Sequence, residues 1–216
     1  MHKFKRITLM ILSMTLVSLS ASMTIKAAIG LSPWDAIAQS LSHISMIKVG
    51  TIGMMLNISC VFGQLVLLRK EFPIRQLLQI PASVLIGVLV NFFYYTIFDT
   101  LVLPNYLMST LLFFLGTFLA AFAVSMVMVV NVVTFPLEAF CMAVALKVGT
   151  RFSVIRQSVD ILAVILTLSL TFTIDIPLTV REGTIIGMLI FAPLLGIIIR
   201  RLQPLIDRTE SEATAV

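Results

Sequence analysis

The stretch GLSPWDAIAQSLSHISMIKVGT, residues 30–51, interrupts a strongly apolar chain with a proline, a tryptophan and an acid in succession. Ser32 is suited to accept a backbone N–H as a helix N-cap, and Pro33 suits the first helical position. Asp35 would complete a capping box with Ser32. The pattern predicts a short helix that begins at Pro33, and Gly30 gives the chain freedom to turn before it.

The composition around this stretch is typical of an integral membrane protein. Hydrophobic residues make up 59% of the 216 positions and charged residues 12%, against roughly one quarter charged in a soluble domain. A crossing of the hydrocarbon core requires ~20 apolar residues. Six runs are long enough: residues 7–28, 51–68, 77–98, 107–130, 152–173 and 183–199. The sequence therefore predicts an all-α protein with six transmembrane helices.

The domain organisation follows from these runs. Residues 1–200 are predicted to form a single transmembrane domain. Residues 201–216 are predicted to form a polar cytoplasmic tail, and we expect its end, DRTESEATAV at 207–216, to be disordered because it contains few apolar residues.

The distribution of lysine and arginine predicts the orientation. With the N-terminus inside, only three of the fifteen basic residues fall on the outer side: Lys26, Lys48 and Arg181. Cytoplasmic loops carry an excess of basic residues, so both termini are predicted to be cytoplasmic. The net charge of +5 thus has a membrane explanation and does not predict binding to nucleic acid.

The second half of the chain repeats features of the first. Each half has a hydroxyl residue, a proline, an acid two residues after the proline, and an alanine. Two further motifs also recur, and the shifts between copies are 103, 99 and 100 residues. The matching segments are SPWDA 32–36 with TFPLEA 134–139, KVGT 48–51 with 147–150, and LIGVLVN 85–91 with IIGMLIF 185–191. Matches in the same order predict an internal repeat, residues 7–98 and 107–199.

Three crossings per repeat is an odd number, so the two halves would enter the membrane from opposite sides. Inverted repeats with broken helices are an architecture of secondary transporters. The second short helix is predicted to begin near Pro136 with Thr134 as its cap. Gly50 and Gly149 are the predicted stops of the two short helices.

The two short helices differ in character. Residues 34–46 are amphipathic and could lie in the outer interface. Residues 137–146 are apolar apart from Glu138, which favours a re-entrant segment. Each short helix is expected to contribute to a shared central site.

Polar residues within the spans are the other candidates for that site. Charges inside a spanning helix are costly and generally face a bundle interior or a cavity. The predicted substrate-binding residues are Ser32, Trp34, Asp35, Asn57, Gln64, Asn91, Thr134, Glu138, Arg156, Gln157 and Asp160. The predicted structural residues are Gly30, Pro33, Gly50, Pro136 and Gly149.

Each candidate also has a purely structural interpretation. Helix capping alone would explain Ser32 and Asp35, and Glu138 could act only on the dipole of its helix. Arg156 and Asp160 could form a pair that fixes helix packing. Trp34 could anchor the membrane interface, and the amide residues commonly form interhelical hydrogen bonds.

The motif GLSPWDA, the Gly-Thr that follows it and the plan of six helices in two halves resemble the YczE/YitT group of bacterial inner-membrane proteins. The resemblance covers roughly residues 7–200 and is most specific at Gly30, Pro33, Trp34 and Asp35. It implies a helical fold and a location in the bacterial plasma membrane, but no substrate. The second half departs from the pattern at FPLEA, residues 135–139.

These features predict a secondary transporter or permease for a small polar molecule; the alternative is a non-transporting accessory subunit that binds a partner complex. The sequence contains no H-E-x-x-H, G-x-S-x-G or P-loop motif, so we expect neither an enzyme nor a cofactor. Cys60 and Cys141 lie singly in apolar segments and predict neither a disulfide nor a metal site. The expected partners are the lipid bilayer and an unidentified small molecule, and the chain is compatible with a homo-oligomer or a partner subunit.

Overall fold

Eight α-helices make up most of the part of the chain that the structure describes. A computed structural model describes the backbone of residues 3–214 and the side chains of residues 4–204, and no β-strand occurs within this part of the chain. The helices are α1 (Lys3–Ala27), α2 (Pro33–Ser45), α3 (Val49–Leu68), α4 (Gln79–Phe92), α5 (Tyr106–Val130), α6 (Pro136–Val148), α7 (Phe152–Ile174) and α8 (Glu182–Thr214). Short 3-10 segments precede α4, and a π-helical turn, Phe93–Ile97, extends it.

Six segments are long and apolar enough to cross a membrane. They are Phe4–Ala27, Val49–Glu71, Ile74–Ile97, Tyr106–Val130, Phe152–Ile174 and Glu182–Pro204. Each predicted run falls on one of them, which confirms the prediction of a multi-pass, all-helical membrane protein. The two remaining helices, α2 and α6, have 13 residues each and are the predicted short helices.

The expectation of a disordered tail is wrong for most of its length. Helix α8 does not end near residue 200 but continues to Thr214, with Pro193 and Pro204 inside it. Residues 201–214 contain no glycine that could end the helix, and several are good helix formers. The last two residues of the predicted tail, 215 and 216, lie outside the described residues.

Helix α2 begins as its sequence predicts. The side-chain oxygen of Ser32 accepts the backbone N–H of Asp35 at 3.2 Å, and the Ser32 hydroxyl donates to Asp35 Oδ2 at 2.6 Å. Pro33 occupies the first helical position. Gly30 has a φ of 134°, and a Cβ there would lie 2.5 Å from the backbone nitrogen of Thr184. Both the cap and the need for glycine are therefore confirmed.

Helix α6 begins differently from the prediction. Its N-cap is Phe135 rather than Thr134, and no side-chain hydrogen bond caps it. The reason is the insertion of Phe135 between the hydroxyl residue and Pro136, which moves Thr134 one position too far from the first turn. Gly149 ends α6 in a left-handed conformation, with a φ of 73°, as predicted.

The predicted role of Gly50 as the stop of the first short helix is wrong. Helix α2 ends at Ser45, and Met46 takes the left-handed position with a φ of 60°. The Met46 N–H donates to the Ser42 carbonyl at 2.9 Å, which satisfies the end of the helix without glycine. Gly50 instead lies in the first turn of α3.

The helix starts recur at a constant interval. Helices α1 to α4 begin at residues 3, 33, 49 and 79, and α5 to α8 begin at residues 106, 136, 152 and 182, each 103 residues later. The proline match has this shift. The KVGT match does not, because its first copy opens α3 and its second copy closes α6. That motif therefore does not join equivalent positions.

Helices α1 and α5 form the centre of the molecule and pack along each other. A Cβ on Gly116 of α5 would lie 2.9 Å from Cγ2 of Thr24, so the two helices approach closely there. Helix α4 packs on α1 and α8 on α5, while α2 packs against α7 and α6 against α3. Both short helices therefore lie within the helical bundle.

Helix α4 caps the start of α3. Asn91 Oδ1 accepts the Gly50 N–H at 2.9 Å, and the Tyr95 hydroxyl accepts the Val49 N–H at 3.2 Å. These are two of the backbone donors that the first turn of a helix leaves free. The backbones approach so closely that a Cβ on Gly50 would lie 2.3 Å from the Gly87 carbonyl oxygen.

We predict that Gly50→Ala destabilises the protein by about 1–3 kcal/mol, because the added methyl group would force α3 away from α4. Gly53→Ala is the matched control on the same helix, since a Cβ there meets nothing within 4 Å. The control should be neutral or stabilising because alanine favours the helix over glycine. Thermal unfolding of both variants in detergent measures the difference, and equal stabilities would contradict the close contact.

Candidate functional site

A cavity of about 340 Å³ lies in the bundle and is lined by residues from all eight helices. Small-molecule sites have volumes of about 300–1,000 Å³, so the cavity is at the lower end of that range. At roughly 30 Å³ per water, it has room for about ten water molecules. The cavity therefore has a size suited to a small solute.

Four charged side chains line this cavity among the described residues: Asp35, Glu138, Arg156 and Asp160. Arg156 Nη1 pairs with Asp160 Oδ1 one turn further along α7, and Arg156 Nε lies 3.8 Å from Glu138 Oε1. One guanidinium group thus faces carboxylates from two helices. We call these four residues the charged cluster.

Trp34 and Asn57 connect the start of α2 to α3. The indole N–H of Trp34 donates to Asn57 Oδ1 at 3.2 Å, and both side chains line the cavity. The indole also packs against Cys60, Leu137 and Cys141. Trp34 therefore forms part of the cavity wall.

The two carboxyl groups at the helix starts have perturbed acidities. Asp35 and Glu138 lie on α2 and α6, which are not among the six spans. Burial raises the pKa of the Asp35 carboxyl, while the Ser32 hydroxyl and the positive charge of Arg156 act to lower it. Burial also raises the pKa of Glu138, with Arg156 again opposing the change. Both groups can therefore exchange protons nearer to neutral pH than free carboxyl groups do.

Most of the remaining lining is apolar, and it includes polar residues that the sequence did not single out. The apolar and aromatic part of the wall includes Ile25, Met54, Val90, Phe113, Met188 and Phe191. The additional polar residues are Ser20, Thr24, Thr117 and Thr184. Ser20 and Thr24 stand one helical turn apart on α1, a spacing that could have indicated a common face.

The lining residues include seven pairs separated by the same 103 residues as the helix starts. The pairs are Val17 and Ala120, Ala21 and Val124, Ser32 and Phe135, Trp34 and Leu137, Asp35 and Glu138, Gly53 and Arg156, and Asn57 and Asp160. The two halves of the chain thus contribute corresponding positions to one cavity. The side chains at these positions differ. Arg156 and Asp160 form an ion pair on α7, whereas the equivalent residues on α3 are Gly53 and Asn57.

The structure does not bring four predicted site residues to the cavity: Gln64, Asn91, Thr134 and Gln157. Gln64 is buried and donates to Gln79 Oε1 and to the Pro136 carbonyl, both at 3.0 Å. Asn91 caps α3, and its Nδ2 donates to Thr51 Oγ1 at 2.9 Å. Both amides therefore form hydrogen bonds between helices, which is their structural interpretation.

Thr134 and Gln157 are both exposed. Thr134 lies beside a much smaller recess between α1, α4 and the start of α6. Gln157 follows Arg156 on α7 but points away from the charged cluster. Of the eleven predicted site residues, Ser32, Trp34, Asp35, Asn57, Glu138, Arg156 and Asp160 line the cavity.

Among the described side chains, no group of three or more His, Cys, Asp or Glu residues is arranged to hold a metal ion. Cys60 and Cys141 are both free and buried. They belong to the apolar packing around Trp34.

Comparison with known proteins gives one match. No curated protein and no solved structure matches the chain at a significant level. A sequence model of the family described as "Family of unknown function (DUF6198)" matches residues 4–200, which is most of the chain. The protein therefore belongs to the DUF6198 family.

Proposed function

We propose that the protein is a secondary transporter that moves a small polar molecule across the bacterial plasma membrane. The observation that carries this proposal is the meeting of both short-helix starts, Ser32 to Asp35 and Phe135 to Glu138, in one cavity that also holds Arg156 and Asp160. Broken helices whose N-termini point into a central cavity are how many secondary transporters hold their substrates. The cavity has the size and the charged groups that such a site requires.

An inverted repeat is part of the proposal. Each half would cross the membrane three times, so equivalent helices would run in opposite directions. The constant shift of 103 residues between helix starts supports this relation. The seven pairs of lining residues separated by 103 positions are a second line of support for the repeat. They show which residues face the cavity, whereas the helix starts show only where the helices begin.

Reciprocal contacts between the halves also support the repeat. Arg181, in the segment between α7 and α8, donates to the Ala28 carbonyl just after α1, at 2.8 Å. Arg75, in the segment between α3 and α4, donates to the Asn131 carbonyl just after α5, also at 2.8 Å. Ala28 and Asn131 are 103 residues apart. Each half therefore supplies an arginine donor to the carbonyl group that follows α1 or α5 of the other half.

The serines of the two central helices extend this pattern. Ser22 of α1 is within 3.3 Å of the Val90 carbonyl on α4. Its equivalent, Ser125 of α5, is 3.4 Å from the Leu195 carbonyl on α8. Contacts of this kind hold α4 to α1 in the first half and α8 to α5 in the second, so the same arrangement of helices recurs in both halves.

The charged cluster would couple substrate movement to ion or proton movement. Burial raises the pKa of Asp35 and of Glu138, and the positive charge of Arg156 acts to lower both. Arg156 can shift between carboxylates as the occupant of the cavity changes. This arrangement favours a cation, a zwitterion or a proton-coupled solute over a simple anion.

The orientation and location belong to the same proposal. The excess of lysine and arginine on one side favours cytoplasmic termini. The resemblance to YczE/YitT proteins at Gly30 to Asp35 favours a bacterial inner membrane.

We predict that Asp160→Asn and Glu138→Gln each abolish solute uptake while leaving expression intact, because each removes a charge from the cluster. The assay compares uptake of a labelled metabolite panel by proteoliposomes containing wild-type or variant protein. Asp175→Asn and Glu71→Gln are the matched controls, since they make the same chemical changes at exposed positions outside the cavity. Both controls should retain wild-type uptake.

Two results would contradict the proposal. Wild-type uptake by both Asp160→Asn and Glu138→Gln would remove the cluster from the mechanism. Absence of uptake for every compound, together with co-purification of a stoichiometric partner and no ligand-dependent thermal shift, would favour the accessory-subunit function instead.

A further inference from the structure

We infer that the cavity binds an organic ammonium cation that carries an apolar group. This inference names the substrate class of the proposed transporter and therefore rests on the proposed function. Three features of the cavity carry it: the balance of charge, the aromatic side chains beside the acids, and the large apolar part of the wall.

The charge of the cavity is negative when its acids are ionised. Asp35, Glu138 and Asp160 contribute three carboxylates, and Arg156 contributes the one guanidinium among the described lining residues. The N-termini of α2 and α6 each add the equivalent of roughly half a positive charge. The sum is about one negative charge, so a single cationic group would neutralise the site and an anion would be repelled.

Arg156 does not neutralise all of the acids. Its guanidinium contacts Asp160 and lies 3.8 Å from Glu138, whereas Asp35 accepts its short hydrogen bond from the uncharged Ser32. Asp35 therefore keeps a carboxylate in the cavity whose nearest described partner is neutral. An ammonium group of a ligand in the cavity would give this carboxylate an ionic partner.

Aromatic side chains stand beside the acids at both helix starts. Trp34 precedes Asp35, and Phe135 occupies the N-cap of α6, three residues before Glu138; both aromatic residues line the cavity. Tryptophan is the side chain that attracts cations most strongly through its ring face, and aromatic walls of this kind recognise quaternary ammonium groups. The hydrogen bond from Trp34 to Asn57 fixes the indole in place.

The rest of the wall would hold the apolar group of the ligand. Phe113 lies against Gly187, whose added Cβ would be 3.5 Å from the Phe113 ring. Phe191, Met188 and Met54 extend the same apolar lining. A small hydrated inorganic cation would leave these surfaces without contacts, so the wall favours a cation with hydrocarbon substituents.

Trp34 also provides the measurement. It is the single tryptophan of the chain, and it lines the cavity, so fluorescence excited selectively at tryptophan, without the three tyrosines, reports on this site. We expect benzyltrimethylammonium to cause a saturable fluorescence change in the purified full-length protein. Neopentylbenzene, which has the same shape without the charge, should cause little change. Tetramethylammonium, which lacks the apolar group, should bind more weakly than benzyltrimethylammonium.

Loss of one carboxylate should weaken binding of benzyltrimethylammonium by about tenfold or more. The reason is that the attraction between a carboxylate and an ammonium group is stronger in surroundings of low dielectric constant than in water. We expect this for both Glu138→Gln and Asp35→Asn, while Glu71→Gln and Asp175→Asn should bind like the wild-type protein. Thermal unfolding of each variant without ligand identifies any that does not fold, and the second acid variant then provides the test.

The outcomes separate this inference from the proposed function. Equal binding of the cation and its neutral analogue, no binding of the cation, or wild-type affinity in both acid variants would overturn the inference. Uptake of a neutral or anionic compound in proteoliposomes would then still support a transporter. Cation binding with the predicted loss in the variants would support the site even if no compound is transported, and that result would contradict the transporter alone.

Discussion

A break between two helices leaves backbone groups without partners in the same helix, and these groups need partners from elsewhere. This chain has two such breaks, one after Ala27 and one after Val130. At each break the partners come from the other half of the molecule. Arg181 donates to the Ala28 carbonyl, Arg75 donates to the Asn131 carbonyl, and the Gly183 N–H donates to the Ile29 carbonyl at 2.8 Å.

This constraint explains why the two halves are interlocked rather than side by side. Helix α2 packs against α7 of the other half and α3 of its own, and helix α6 packs against α3 of the other half and α7 of its own. The starts of both short helices then lie next to one cavity, with Asp35 and Glu138 at equivalent positions. Glu138, Arg156 and Asp160 belong to the second half, and the interlocking adds Asp35 of α2 from the first half to the same cavity.

The local parts of the fold were predictable from the sequence. The Ser32, Pro33 and Asp35 pattern determines its own helix start through contacts within four residues, and apolar runs of sufficient length determine the spans. The proline match also gave the correct shift between the halves. Short matches of Val, Leu and Gly did not, since such residues recur by chance in an apolar chain and KVGT joined positions that are not equivalent.

The residues that line the cavity were only partly predictable from the sequence. Ser32, Asp35 and Glu138 reach it because the helix starts fix their positions, whereas Thr134, one residue before the N-cap of α6, does not. For residues in long helices, helix rotation and pairing decide the outcome, and these depend on contacts far apart in the sequence. Asn57 therefore lines the cavity, whereas Gln64 binds the Pro136 carbonyl and Asn91 caps a neighbouring helix.

The central claim is that the two halves of the chain are equivalent units inserted in opposite directions around a shared cavity. The most direct measurement is labelling with a membrane-impermeant maleimide of single cysteines introduced as Ile47→Cys, Phe72→Cys and Thr150→Cys, with Cys60 and Cys141 replaced by alanine. Ile47 and Thr150 are equivalent positions, 103 residues apart, in the connections that follow the two short helices. The account predicts that Thr150→Cys and Phe72→Cys are labelled from the same face and Ile47→Cys from the opposite face; labelling of Ile47→Cys and Thr150→Cys from one face would contradict it.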